Sequence, residues 1–162
     1  MCWLCDHPGR TPDDYLDHVR GLIARHGWAV QGVPRDRAHP PWAYTTGLTT
    51  LGRPELVITG MPLPRAAAVL NDLACHVGPA TAPEPGEQRV LGSGLRTEMV
   101  EVAEPAAHLV TAASLYGPRL RAIQIVHADR RGHWPWDGGY RGVRGGQPVL
   151  GVRTAASPNL AG

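Results

Sequence analysis

The chain has 162 residues, 43% of them hydrophobic, which suits one domain with a proper core. All sixteen basic residues are arginine, and against fourteen acidic ones they leave a formal charge of +2. That balance speaks against the strongly basic footprint of a dedicated nucleic-acid binder, and no apolar run approaches the ~20 residues that span a bilayer.

The absence of Lys and Phe beside abundant Ala, Gly, Pro and Arg tracks codon composition, so the arginines alone do not argue for phosphate recognition. Three cysteines are an odd number and make no disulfide framework. A reducing cytoplasm is therefore the expected location, with thiols free or metal-bound.

The first predicted element is a helix capped by Thr11. Pro12 opens it, Asp13 and Asp14 sit at the positive end of its dipole, and Gly27 stops it. Tyr15, Leu16, Val19, Leu22 and Ile23 recur at helical spacing. Strand-like runs follow at 28–33, 42–48 and 55–59, separated by Pro-containing loops. A second helix is predicted from about Pro64 to Val77, with Cys75 opposite its Leu70/Leu73 stripe. Residues 88–91 and 95–102 read as a hairpin around Gly92-Ser93-Gly94. A third helix is predicted over 105–116, apolar almost all round and so expected to be well buried. A strong strand at 120–127 leads into a turn at 128–132. From Gly138 a glycine-rich segment should hug the surface before a frayed tail. Strands arriving in runs argue for an α+β fold: a single compact domain over 1–151, with a largely antiparallel sheet, about three helices and a flexible tail at 152–162.

Two groups of residues could carry chemistry. Cys2, Cys5 and His7 lie in an N-terminal arm (1–10), where a Cys-x-x-Cys pair lets two thiolates converge on one point. With His7 they make three ligands for a metal, expected to be Zn²⁺, and His39, His108, His127 or His133 is the further ligand considered. The competing reading packs Cys5 and Trp3 onto the core as small hydrophobes. The second group is His127-Ala128-Asp129 with His133-Trp134-Pro135-Trp136-Asp137. Here His127 or His133 could serve as general base or ligand, with Asp129 or Asp137 orienting the imidazole. The competing reading makes Asp129 a turn residue and lets the tryptophans cover a sheet edge.

A metal-free alternative uses Trp42, Tyr44, Trp134 and Trp136 as an aromatic pocket for a small molecule or a protein partner. Glu55 reads as a strand-entry residue rather than a catalytic acid. Arg141-Gly-Val-Arg144-Gly-Gly is a single short Arg/Gly copy, so a nucleic-acid partner is only a second alternative. No GxxxxGK[ST], no GxGxxG after a strand and no GxSxG elbow is present, so no nucleotide cofactor is expected.

At Trp42-Ala43-Tyr44-Thr45-Thr46-Gly47-Leu48, Pro54-Glu55-Leu56-Val57-Ile58-Thr59-Gly60 and Trp134-Pro135-Trp136-Asp137 the chain resembles a bacterial family common in actinobacteria, domain of unknown function 4262. The likeness runs from Cys2 to about Gly151. It implies a bacterial cytoplasmic protein and carries over no catalytic residues, because the family has no established activity.

Overall fold

The computed structural model describes residues 6–78 and 81–154. The chain order is α1 (Pro12–His26), β1 (Ala29–Val33), β2 (Trp42–Thr46), a 3-10 turn (Leu48–Leu51), β3 (Glu55–Thr59), α2 (Leu63–His76), β4 (Gln88–Val90), β5 (Arg96–Glu101), α3 (Pro105–His108), α4 (Val110–Tyr116), a second 3-10 turn (Gly117–Arg119) and β6 (Ala122–His127). Six strands form one sheet in the order β1-β2-β3-β6-β5-β4. Every neighbouring pair is antiparallel except β3–β6, which is parallel with Glu55 opposite Ala122 and Val57 opposite Gln124. The result is the α+β class read from the sequence, with a mixed sheet. Among the described residues no helix is long and apolar enough to cross a membrane.

Thr11 caps α1 through a complete capping box, its hydroxyl accepting from the Asp14 amide while the Asp14 carboxylate accepts from the Thr11 amide. Period-two alternation then divides the sheet into two packed faces. Leu56 and Ile58 on β3, Ile123 and Ile125 on β6 and Met99 on β5 pack with Ala66, Leu70 and Leu73 of α2. On the opposite face Tyr44, Val57 and Ala122 pack with Leu109, Ala112 and Tyr116.

One continuous helix over 105–116 does not form. The chain breaks at Leu109, whose backbone leaves the helical region (φ −109°, ψ 62°) and drives its side chain into the core, wholly buried. The break frees a carbonyl and an amide, and β2 satisfies both. Trp42 Nε1 donates to the His108 carbonyl at 3.2 Å, and the Tyr44 hydroxyl accepts from the Thr111 amide at 3.1 Å. Val110 is 63% exposed, so the all-round apolar pattern did not translate into all-round burial.

The other half of this face is covered by residues 147–153, which cross β6 and β5 as an extended strap. Three buried polar side chains there, already bonded in part because Gln124 Nε2 donates to Thr59 Oγ1 and Gln88 Nε2 to Glu98, take further partners from the strap. Thr59 Oγ1 and Gln124 Nε2 both donate to the Pro148 carbonyl, and Gln124 Oε1 accepts from the Leu150 amide. Glu98 takes a two-point bond from Arg153, at 2.7 and 3.0 Å. Where the strap passes the end of β5, a Cβ on Gly151 would collide with the Glu101 carbonyl. Residues 155–162 lie outside the described ones.

Candidate functional site

Parallel pairing sets the carboxyl ends of β3 and β6 side by side, and a cleft of about 1220 Å³ opens there. Its walls come from the β3–α2 connection, the β4–β5 turn, the loop after β6 and the segment 140–143. Crevices at the carboxyl ends of parallel strands are recurrent ligand sites, because the loops that follow the strands splay apart there.

Positive charge dominates the lining. Arg65, Arg96, Arg130, Arg131 and Arg141 all contribute, with Asp129 the single acid. No side chain of these five arginines is ion-paired among the described residues, a state shared by Arg25, Arg35, Arg37, Arg53, Arg119 and Arg144 outside the cleft. Arg96 lies over the Trp134 ring at 5.3 Å. Arg65 stands in the first turn of α2, a 14-residue helix with no side-chain cap, whose dipole adds partial positive charge at the same rim.

Asp129 offsets only one of these charges, and its carboxylate is engaged by backbone amides rather than by a guanidinium. Oδ1 accepts from the Arg131 and His133 amides at 2.8 and 2.9 Å, and Oδ2 from the Arg141 amide at 2.9 Å. Burial works against its ionised form, but the His133, Arg141 and Arg131 amides outweigh that and hold its pKa at about 2. It therefore organises the loop, drawing Arg130, Arg131 and Arg141 to one wall. His133 Nδ1 lies 3.5 Å from Oδ2, an ion pair when the imidazole is protonated, with no hydrogen-bond partner among the described residues. Asp137 accepts from the Trp134 amide at 2.8 Å and shapes that turn. Of the two carboxylates, Asp129 is the one within ion-pair reach of an imidazole, that of His133.

His127 lines the cleft floor at the end of β6. Gln147 grips its backbone on both sides, accepting from its amide and donating to its carbonyl, each at 2.8 Å, and also donates to the Tyr140 hydroxyl. Nδ1 faces the Ala128 carbonyl at 3.4 Å, which can only accept, so the proton belongs on Nδ1. Nε2 has no hydrogen-bond partner among the described residues. Burial, opposed by the Ala128 and Thr59 carbonyls and aided by the Arg65 charge, lowers the His127 pKa below 6.5. The sign follows from linkage: between the unfolded value and this lower folded one, the unfolded chain binds more protons, so stability falls as pH drops through that window. The melting temperature of wild type should therefore fall more steeply below pH 6.5 than that of His127→Gln, and parallel curves would refute the assignment.

The remaining sequence candidates are scattered. Cys2 and Cys5 lie outside the described residues, and His7 is exposed. His39 faces Asp36 in the exposed β1–β2 loop, and His108 sits at the helix break. Cys75 is exposed on α2. Among the described residues no group of three or more His, Cys, Asp or Glu is placed to hold a metal ion. The four aromatics are not brought together. The polar tips of Trp42 and Tyr44 are spent on the helix break. Trp134 and Trp136 stack on each other, with ring centroids 5.5 Å apart, and Arg96 and Arg153 lie over their rings. Sequence reasoning missed Arg65, Arg96, Arg130 and Arg131 as site residues and considered Arg141 only as part of an Arg/Gly loop.

No curated protein and no solved structure matches the chain. The family model of Domain of unknown function (DUF4262) matches residues 22–141, a span that includes the sheet, α2 and nearly all of the arginine cleft, and the chain belongs to that family.

Proposed function

We propose that this protein is a binding module for small phosphorylated ligands, held in the cleft between β3, β6 and α2. The observation that carries the reading is the set of five cleft arginines without ion pairs beside one carboxylate engaged by backbone amides. Exposed arginines without ion pairs that line one concavity suit an anion, since each guanidinium presents a planar fork that matches phosphate oxygens. The uncapped start of α2 adds to the same field.

Inorganic phosphate and glycerol 3-phosphate should raise the melting temperature in a concentration-dependent way, as any ligand of the native state does. In calorimetric titration the double variant Arg65→Ala/Arg131→Ala should lose affinity by at least about a hundredfold, on the scale of two charge-assisted hydrogen bonds. Unchanged affinity in that variant would defeat the proposal.

The N-terminal spacing Cys2-x-x-Cys5-x-His7 supports a separate reading, Zn²⁺ held by the arm in a reducing cytoplasm. Elemental analysis of chelator-free protein tests it: about one zinc per chain is expected, and none would dispose of it.

A further inference from the structure

The arginines of the cleft fall into two groups. Arg65 stands on α2, with the helix start behind it. Arg130, Arg131 and Arg141 belong to the segments that follow β6, where Asp129 binds the Arg131 and Arg141 amides and so draws their loops together. Arg96 sides with this second group: a Cβ on Gly132 would lie 3.3 Å from its guanidinium. Each group by itself is the usual equipment for one phosphate, and the cleft of about 1220 Å³ is larger than a single inorganic anion needs.

Charge points the same way. Five guanidiniums face one carboxylate, and the helix dipole adds to the positive side. His127 contributes nothing to that count near neutral pH, since burial keeps its imidazole neutral. A single phosphate dianion would leave most of the arginine charge in this cleft uncompensated, although the arginines themselves are exposed. Two carboxylates would do no better, whereas two phosphates bring the site close to neutrality.

Resting on the phosphate-binding reading above, we infer that the ligand is bisphosphorylated, one phosphate held by Arg65 at the start of α2 and the other by the Arg130/Arg131/Arg141 wall. The organic part between them lies across the cleft floor formed by Gly60, Met61 and His127.

The test is isothermal titration of the full chain with fructose 6-phosphate and fructose 1,6-bisphosphate at physiological salt. The bisphosphate should bind at least about thirtyfold tighter, with one site per chain, because the second phosphate engages its own arginines without a second association cost. Arg65→Ala and Arg131→Ala should each reduce that advantage to about threefold or less. Arg119→Ala, an exposed arginine outside the cleft, should leave it intact. Equal affinities for the two esters would overturn the inference while leaving the cleft a monophosphate site. A bisphosphate advantage equally sensitive to Arg119→Ala would also overturn it, as a generic charge effect. If neither ester binds, the phosphate-binding reading falls and this inference with it.

Discussion

Replacing Glu55 with alanine is expected to cost about 3–5 kcal/mol of stability, a large share of the ~5–15 kcal/mol that holds a domain together. Glu55 opens β3 with no accessible surface at all, a position where a carboxylate is tolerated only if it is fully bonded. The bonds are there. Oε1 accepts from the Gly47 and Thr49 amides, each at 2.9 Å, and from the Thr49 hydroxyl. Oε2 accepts from the Thr45 hydroxyl at 2.7 Å and from the Leu48 amide at 3.3 Å. One side chain thus ties the end of β2 and the following 3-10 turn to β3. Its removal leaves these donors without their acceptor in an interior site, and each unmet donor costs about 1–3 kcal/mol. Burial, and then the Glu55 charge, pushes the nearby Tyr116 hydroxyl up to about 12. Urea denaturation measures the loss directly, and a change below about 1 kcal/mol would show that water replaces the carboxylate.

Gly60→Ala should be nearly as damaging, by about 2–4 kcal/mol, for a different reason. Gly60 leaves β3 at φ +67°, a left-handed conformation that only glycine adopts without strain. A Cβ there would also collide with the Gly146 carbonyl and lie 2.9 Å from Gln147 Cα. The backbone of β3 and the start of the strap therefore touch with no room between them. Gln147 is the residue that fixes the His127 backbone and the Tyr140 hydroxyl, so pushing it away deforms the cleft as well. The variant should lose both melting temperature and phosphate affinity. Gly146→Ala, whose Cβ would meet nothing within 4 Å, separates the contact from the backbone effect, since it carries only the strain of its own φ of +73°.

Local patterns in the chain exposed most of the elements. The Thr11 cap with Pro12, the β-branched run at 55–59 and the Gly92-Ser93-Gly94 turn each specify a structure within a few residues, and each stands where expected. The break at Leu109 was illegible because its cause lies on β2, in the Trp42 and Tyr44 side chains some 65 residues away in sequence. The cleft was illegible for a related reason. It exists because β3 and β6 pair in parallel, and such pairing leaves no short-range signature. Arg65, Arg96, Arg130 and Arg131 look dispersed along a chain whose every basic residue is arginine. Position in the fold, not residue type, separates them from the rest. The buried Gln124 and Glu98 likewise depend on distant partners, Thr59 and Gln88 within the sheet and residues 148–153 across it.

Glycine amides offer the most direct view of the cleft, since Gly60, Gly94, Gly132 and Gly142 line it while Gly21, Gly52 and Gly117 do not. Adding inorganic phosphate to ¹⁵N-labelled protein should shift the first group in a saturable manner and leave the second unmoved. Shifts confined to glycines outside the cleft, or no saturable shift at any glycine, would contradict an anion site at the carboxyl ends of β3 and β6.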